Sequence, residues 1–271
     1  MPQQSGLVAS SEVQQSPQYA ALGGLTTGAA EANPLQRFCD PVEQKLQSNG
    51  SSEDAEEELN KGWKAVIARA ADTSHAEGGR SALAAFLVSL TQKRADGQQA
   101  DSHYGVVQDM KVWQDLALLG WELRDVWNFA ADDRSPAEEK QRWTNVNAFA
   151  ATLVDQLHDK ANGNPDYSLF GIWTIRTALE EEVVSDSAVA AASVWFIYAA
   201  TALSSLSKAQ KSFEGKVAKG GFAHKDAGWT GYSPARWQIW QQRLDSIRTE
   251  VKDDQTKQLL QSAIDAIGKT N

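Results

Sequence analysis

The sequence predicts an all-α fold: a single multi-helix bundle or short helical solenoid of about seven to nine helices, behind a disordered N-terminal tail. Three observations carry this reading. From Pro34 onward, apolar residues recur at three–four spacing almost throughout. Helix starts recur as Ser51-Ser52-Glu53-Asp54, Ser135-Pro136 and Ser233-Pro234. No run alternates for long and β-branched residues are scattered, so no strand is expected.

Residues 1–33 are rich in Gln, Ser, Gly and Ala and nearly uncharged, which predicts a flexible low-complexity tail before a helical domain over 34–271. The first long helix starts at the acidic turn Glu53-Asp54 and runs through Trp63 and Val66 to about Ala70. The next covers 78–94, and a polar loop, RADGQQADS, follows. The stretch WQDLALLGWELRDVW (113–127) holds Trp113, Trp121 and Trp127 beside Arg124-Asp125. Helical from about residue 114, it places Leu116, Leu119, Gly120, Leu123, Val126 and Trp127 on one stripe and Leu118, Trp121 and Asp125 on another face, the pattern of a central helix. Ser135-Pro136-Ala137-Glu138 opens a helix with the stripe Trp143, Val146, Ala150, Leu153, Val154 and Leu157, closed by the turn ANGNP. Helices follow at about 167–184 and 187–208. The next starts at Ser233-Pro234 with the stripe Trp237, Trp240, Leu244, Ile247 and Val251, and the last spans about 254–267.

The chain of 271 residues carries a net charge of −9, which supplies no basic footprint for nucleic acid and no attraction to anionic lipid. The apolar run Ala188–Leu203 falls short of the roughly 20 residues a bilayer needs, so it is expected as a buried core helix. Cys39 is the sole cysteine, which fits a reducing compartment. The first basic residue is Arg37, so no charged leader pattern is visible. The expectation is a soluble, intracellular protein, cytoplasmic or nuclear.

Motifs that carry chemistry are weak. No G-x-S-x-G elbow, Walker loop or G-x-G-x-x-G occurs. Cys39 is read as a structural thiol. Asp155-x-x-His158 stands alone, and His75, His103 and His224 lie far apart, so no metal or cofactor is expected. Asp132-Asp133 echoes a terpene-cyclase acidic cluster, but sits just before a capped helix, where acids are expected anyway. EDAEEE (53–58) reads as a solvated face. So do Glu180-Glu181-Glu182, although acids at a helix C-terminus oppose its dipole and invite a compensating charge. The loop GGFAHKDAGWTGYSP (220–234) is the remaining candidate, with His224, Asp226, Trp229 and Tyr232 in a long glycine-rich setting. Its plainer reading is a covering loop pinned by Phe222, Trp229 and Tyr232.

Four segments together point to a family: DLALLGWELRDVWN, RWTNVNAFAATL, WTIRTALEE running into AAASVWFIYAA, and SPARWQIWQQRL. Over about residues 60–250 the chain resembles a family of filamentous-fungal proteins, the domain of unknown function 3632. The resemblance implies a helical, soluble protein without an established activity, with some members near secondary-metabolism genes, and no catalytic residues to carry over. Family members often carry Pro where this chain has Ala117, which leaves the start of that helix open. Within these segments Arg124 keeps its charge in any environment and, in a central helix, needs a carboxylate from another helix. Trp121 and Trp127 then serve as packing, and Arg124 as a buried anchor or the polar floor of a pocket. Two functions follow as expectations. One is a non-enzymatic interaction or regulatory protein with a protein partner. The other is an enzyme or small-molecule binder of fungal specialised metabolism, using an aromatic-lined cavity with Arg124, Asp125 and the 220–234 loop.

Overall fold

The computed structural model describes residues 6–29, 32–47, 52–94, 104–158 and 165–270. These are mostly helical, as expected, but the helices are more numerous than seven to nine and run from α1 to α12. The single helical domain expected over 34–271 divides into two compact units. One lies within Met1–Ala130 and Lys160–Pro165, the other within Ala131–Asp159 and Asp166–Asn271.

The first unit begins with three short helices, α1 (Ser11–Gln14), α2 (Pro17–Ala21) and α3 (Gly23–Thr27). This corrects the tail expected over 1–33, of which residues 1–5 and 30–31 lie outside the described residues. Ser10 and Ser16 cap α1 and α2 by accepting from Val13 N–H and Tyr19 N–H. Helices of one turn show no readable period and are unstable alone. They hold here because Leu7, Val13, Ala21 and Leu22 are buried and the Arg69 guanidinium lies 3.7 Å over the Tyr19 ring.

α4 (Pro34–Gln47), α5 (Ser52–Asp72) and α6 (Gly78–Thr91) surround an aromatic core. Phe38 meets Phe86 edge-on at 5.2 Å and Trp63 at 5.7 Å, and Trp63 meets Trp113 at 6.3 Å. Cys39 is buried beside them, and burial pushes its thiol well above the ordinary range. Past Arg94, the predicted polar loop lies outside the described residues. A two-residue hairpin, β1 (Val106–Val107) and β2 (Met110–Lys111), turns through Gln108 and Asp109, both at positive φ. α7 (Leu119–Trp127) starts five residues later than expected. Leu116 and Leu118 take left-handed backbone at φ 47° and 69°, and both side chains are buried. That burial offsets a backbone cost of about 1–2 kcal/mol per residue.

The second unit is built on α10 (Asp186–Lys208), which packs against α8 (Ala137–His158), α9 (Ser168–Leu179) and α12 (Asp254–Gly268), with α11 (Pro234–Ser246) beside it. The turn ANGNP lies outside the described residues apart from Pro165. α10 is long and apolar enough to cross a bilayer by length and composition, and 67% of that window is buried. Its alanines let neighbours approach on several sides, and its helical geometry breaks at Ala199. Gly171 of α9 meets it so closely that a Cβ would stand 2.9 Å from the Trp195 ring. Asn147 is the buried polar hub: its Oδ1 accepts from Trp195 Nε1 and Thr174 Oγ1, each at 2.8 Å, and its Nδ2 donates to Trp143 O.

Candidate functional site

The densest chemistry in the second unit is an ion pair that sequence reasoning missed. Glu180 follows the last residue of α9 and Arg236 lies in the first turn of α11; both are fully buried. Arg236 Nε donates to Glu180 Oε1 at 2.7 Å, and Nη2 donates to Oε2 at 3.0 Å, a two-pronged pairing. Trp240 Nε1 donates to Oε1 at 2.7 Å, and Gly221 N–H donates to Oε2 at 2.8 Å. Arg236 Nη1 donates to Ala218 O and Gly231 O, and Nη2 also donates to Lys219 O. The guanidinium's donors are thus matched by acceptors, and the buried pair is compensated from all sides.

The 220–234 loop is the cover of this pair. Trp229 lies 5.0 Å and Trp240 5.3 Å from the guanidinium carbon. His224 rests on Trp229 with ring centroids 5.2 Å apart. Tyr232 is buried edge-on to Trp240; its hydroxyl donates to Ser168 O, and burial raises its pKa. A Cβ on Gly221 would stand 2.6 Å from Glu180 O, and one on Gly231 2.0 Å from Lys211 O, so glycine lets the loop descend onto the pair. Asp226 is exposed, and so is Phe222, which corrects its expected role as a pin. The expected solvated face at Glu180 is corrected too. The signal was present in the sequence: an acid set against a helix dipole, and Arg236 one turn before Trp240 in the Trp stripe.

The first unit arranges the 113–127 stretch differently from the expectation. Trp113 is fully buried and its Nε1 donates to Glu43 Oε1 at 2.9 Å, where Lys93 Nζ also binds at 2.7 Å. Trp63 Nε1 donates to Ala117 O at 2.6 Å. α7 is a surface helix. Leu119, Leu123 and Val126 are buried on one side, while Trp121, Arg124, Asp125 and Asn128 are exposed on the opposite side. Trp121 is 57% exposed and Phe129, just beyond the helix, 39%. This corrects the reading of Trp121 as packing and of Arg124 as a buried anchor; the buried arginine is Arg236. Trp127 is half-buried. Glu122, at the edge of the exposed face, has its pKa raised by burial, with Lys64 at 3.7 Å lowering it and Asp125 raising it.

Trp121, Arg124, Asp125 and Trp127 belong to the first unit, and His224, Asp226, Trp229 and Tyr232 to the second. Asp133 accepts from Ser187 N–H at 2.8 Å and from the Ser185 hydroxyl at 3.0 Å, so it braces the start of α10. Among the described residues, no group of three or more His, Cys, Asp or Glu is placed to hold a metal ion.

A family model described as Protein of unknown function (DUF3632) matches residues 63–244, a span that begins at Trp63 and includes α7, Glu180 and Arg236. No curated protein and no solved structure matches the chain.

Proposed function

The chain belongs to the DUF3632 family, and from that premise we propose that it is a non-enzymatic interaction protein that acts inside the cell and receives a protein partner on the outer face of α7. The observation that carries this is Trp121. It stands 57% exposed on the polar side of an amphipathic helix, where burial within the unit has no use for it. Arg124 and Asp125 share its face, and Phe129 follows. Trp and Arg are the residue types that most often dominate binding energy at protein interfaces. The ion pair beneath the 220–234 loop supports the same reading as a brace, since its polar atoms are turned on each other.

A small-molecule role in specialised metabolism is the second reading. Its support is an open cleft of about 860 Å³ in the first unit, lined by Glu12, Arg37, Asp40, Glu58 and Lys61 among others. That lining is charged rather than aromatic, which favours a polar ligand over the aromatic-lined cavity this reading called for.

Native mass spectrometry of the protein purified from its own host tests the choice, with Trp121→Ala alongside. A protein complex formed by the wild type and lost from Trp121→Ala at unchanged melting temperature is the expected result. A retained small molecule of defined mass, with no protein bound, would overturn the proposal.

A further inference from the structure

We infer that the partner on α7 is a second copy of this chain, paired antiparallel about a two-fold axis that crosses the helix between Arg124 and Asp125. This rests on the preceding reading of α7 as an interaction face and names its occupant. The argument is the order of residues along the exposed stripe, which runs Trp121, Arg124, Asp125, Asn128 and then Phe129. A two-fold axis between 124 and 125 brings Arg124 of one copy opposite Asp125 of the other, and the reverse, so two Arg–Asp pairs face each other across it. The same operation sets Trp121 opposite Asn128 of the second copy, one residue from its Phe129. The face therefore has opposite charges at its centre and aromatic groups at both ends. It is complementary to itself, which an isologous interface requires.

The length of α7 limits the strength of this contact. It has nine residues, whereas stable interfaces use roughly 20–30 residues a side. The association expected is weak and reversible, in the micromolar range. The net charge of −9 on each copy opposes it. At physiological salt that long-range repulsion is screened beyond about 8 Å, while pairs in contact are screened less.

Sedimentation velocity of the full chain across a micromolar dilution series at physiological salt tests the inference, with thermal melts of each variant as a check on folding. The wild type is expected to dimerise. Arg124→Asp places two acid pairs across the axis and should weaken the dimer by about tenfold or more. Adding Asp125→Arg to that change restores one cation and one anion to each copy, and should return the affinity to within a few-fold of wild type. Trp121→Ala should weaken the dimer without shifting the melt. A wild type that stays monomeric throughout overturns the inference, as does a dimer indifferent to Arg124→Asp or one that the double reversal fails to restore. None of these results decides the interaction reading itself, because capture of a different protein that depends on Trp121 is measured separately.

Discussion

Replacing Glu180 by Ala should be among the most damaging single changes in the second unit. The carboxylate accepts from Arg236 Nε, Arg236 Nη2, Trp240 Nε1 and Gly221 N–H. Alanine leaves all four without that acceptor, in a place with no solvent exposure. Removing one partner of a buried ion pair costs about 3–5 kcal/mol, because the other charge stays behind. Each orphaned neutral donor adds about 1–3 kcal/mol, with incomplete additivity. A loss of about 4–6 kcal/mol follows, a large share of the roughly 5–15 kcal/mol that stabilises a domain. The loop from Ala218 to Gly231 would lose its anchor as well, since Arg236 holds both of those carbonyls. Urea unfolding followed by hydrogen exchange, read separately over α9 to α11, is the assay, because two compact units can open independently. Glu138→Ala is the control. It removes an exposed pair with Arg142 at 3.0 Å and should shift stability by less than about 0.5 kcal/mol. Replacing both partners, Glu180→Leu with Arg236→Met, removes the stranded charge and should recover only part of the loss, since Trp240 Nε1, Gly221 N–H and the carbonyls of Ala218, Lys219 and Gly231 lose their partners. A Glu180→Ala variant destabilised by less than about 1 kcal/mol would refute the claim that the pair braces this unit.

Three further predictions concern packing and titration. Trp63→Ala empties the first unit's core and removes the bond to Ala117 O, so it should cost about 3–5 kcal/mol in denaturant unfolding, whereas exposed Trp121→Ala should cost under about 1 kcal/mol. Gly171→Ala drives a methyl against Trp195 and the Tyr232 hydroxyl and should destabilise by about 1–3 kcal/mol; a neutral result would mean that α9 and α10 do not approach so closely. Burial works against the charge of Asp133, but hydrogen bonds from Ser187 and Ser185 outweigh it and hold its carboxyl below the ordinary aspartate range. A depressed folded pKa gives stability that is present above the unfolded value and lost as pH falls through the folded one. The stability gap between wild type and Asp133→Asn should therefore be full above about pH 5 and close as the pH drops below about 4; a gap that persists at low pH would contradict the assignment.

Helix identity was legible wherever one face is buried over several turns. The Ser233-Pro234 start and the Trp237, Trp240 and Leu244 part of the stripe appear in α11, and Ser233 Oγ accepts from Arg236 N–H; Ile247 and Val251, read on the same helix, are buried but lie past its end at Ser246. α1 to α3 were illegible because each is one turn long and is held by burial of Leu7, Val13 and Leu22, which no local pattern announces. Of the candidate residues, Trp229 and Tyr232 do close a loop over buried polar chemistry, but the charge beneath them is Arg236 and not Arg124. Both arginines neighbour tryptophans in sequence, and sequence alone does not say which of them faces inward.

Local pattern suffices to establish that the chain is helical, where most long helices begin, that Ala188–Leu203 is a core segment, and which family the chain resembles. Periodicity and capping are local properties, set within one or two turns of backbone. Tertiary structure decided which arginine is buried, that Trp113 packs inside while Trp121 faces out, and that Glu180 is matched by a residue 56 positions away. Those outcomes depend on which helix faces cover one another. That choice is made by burial summed over distant segments, and no single stretch of the chain encodes it.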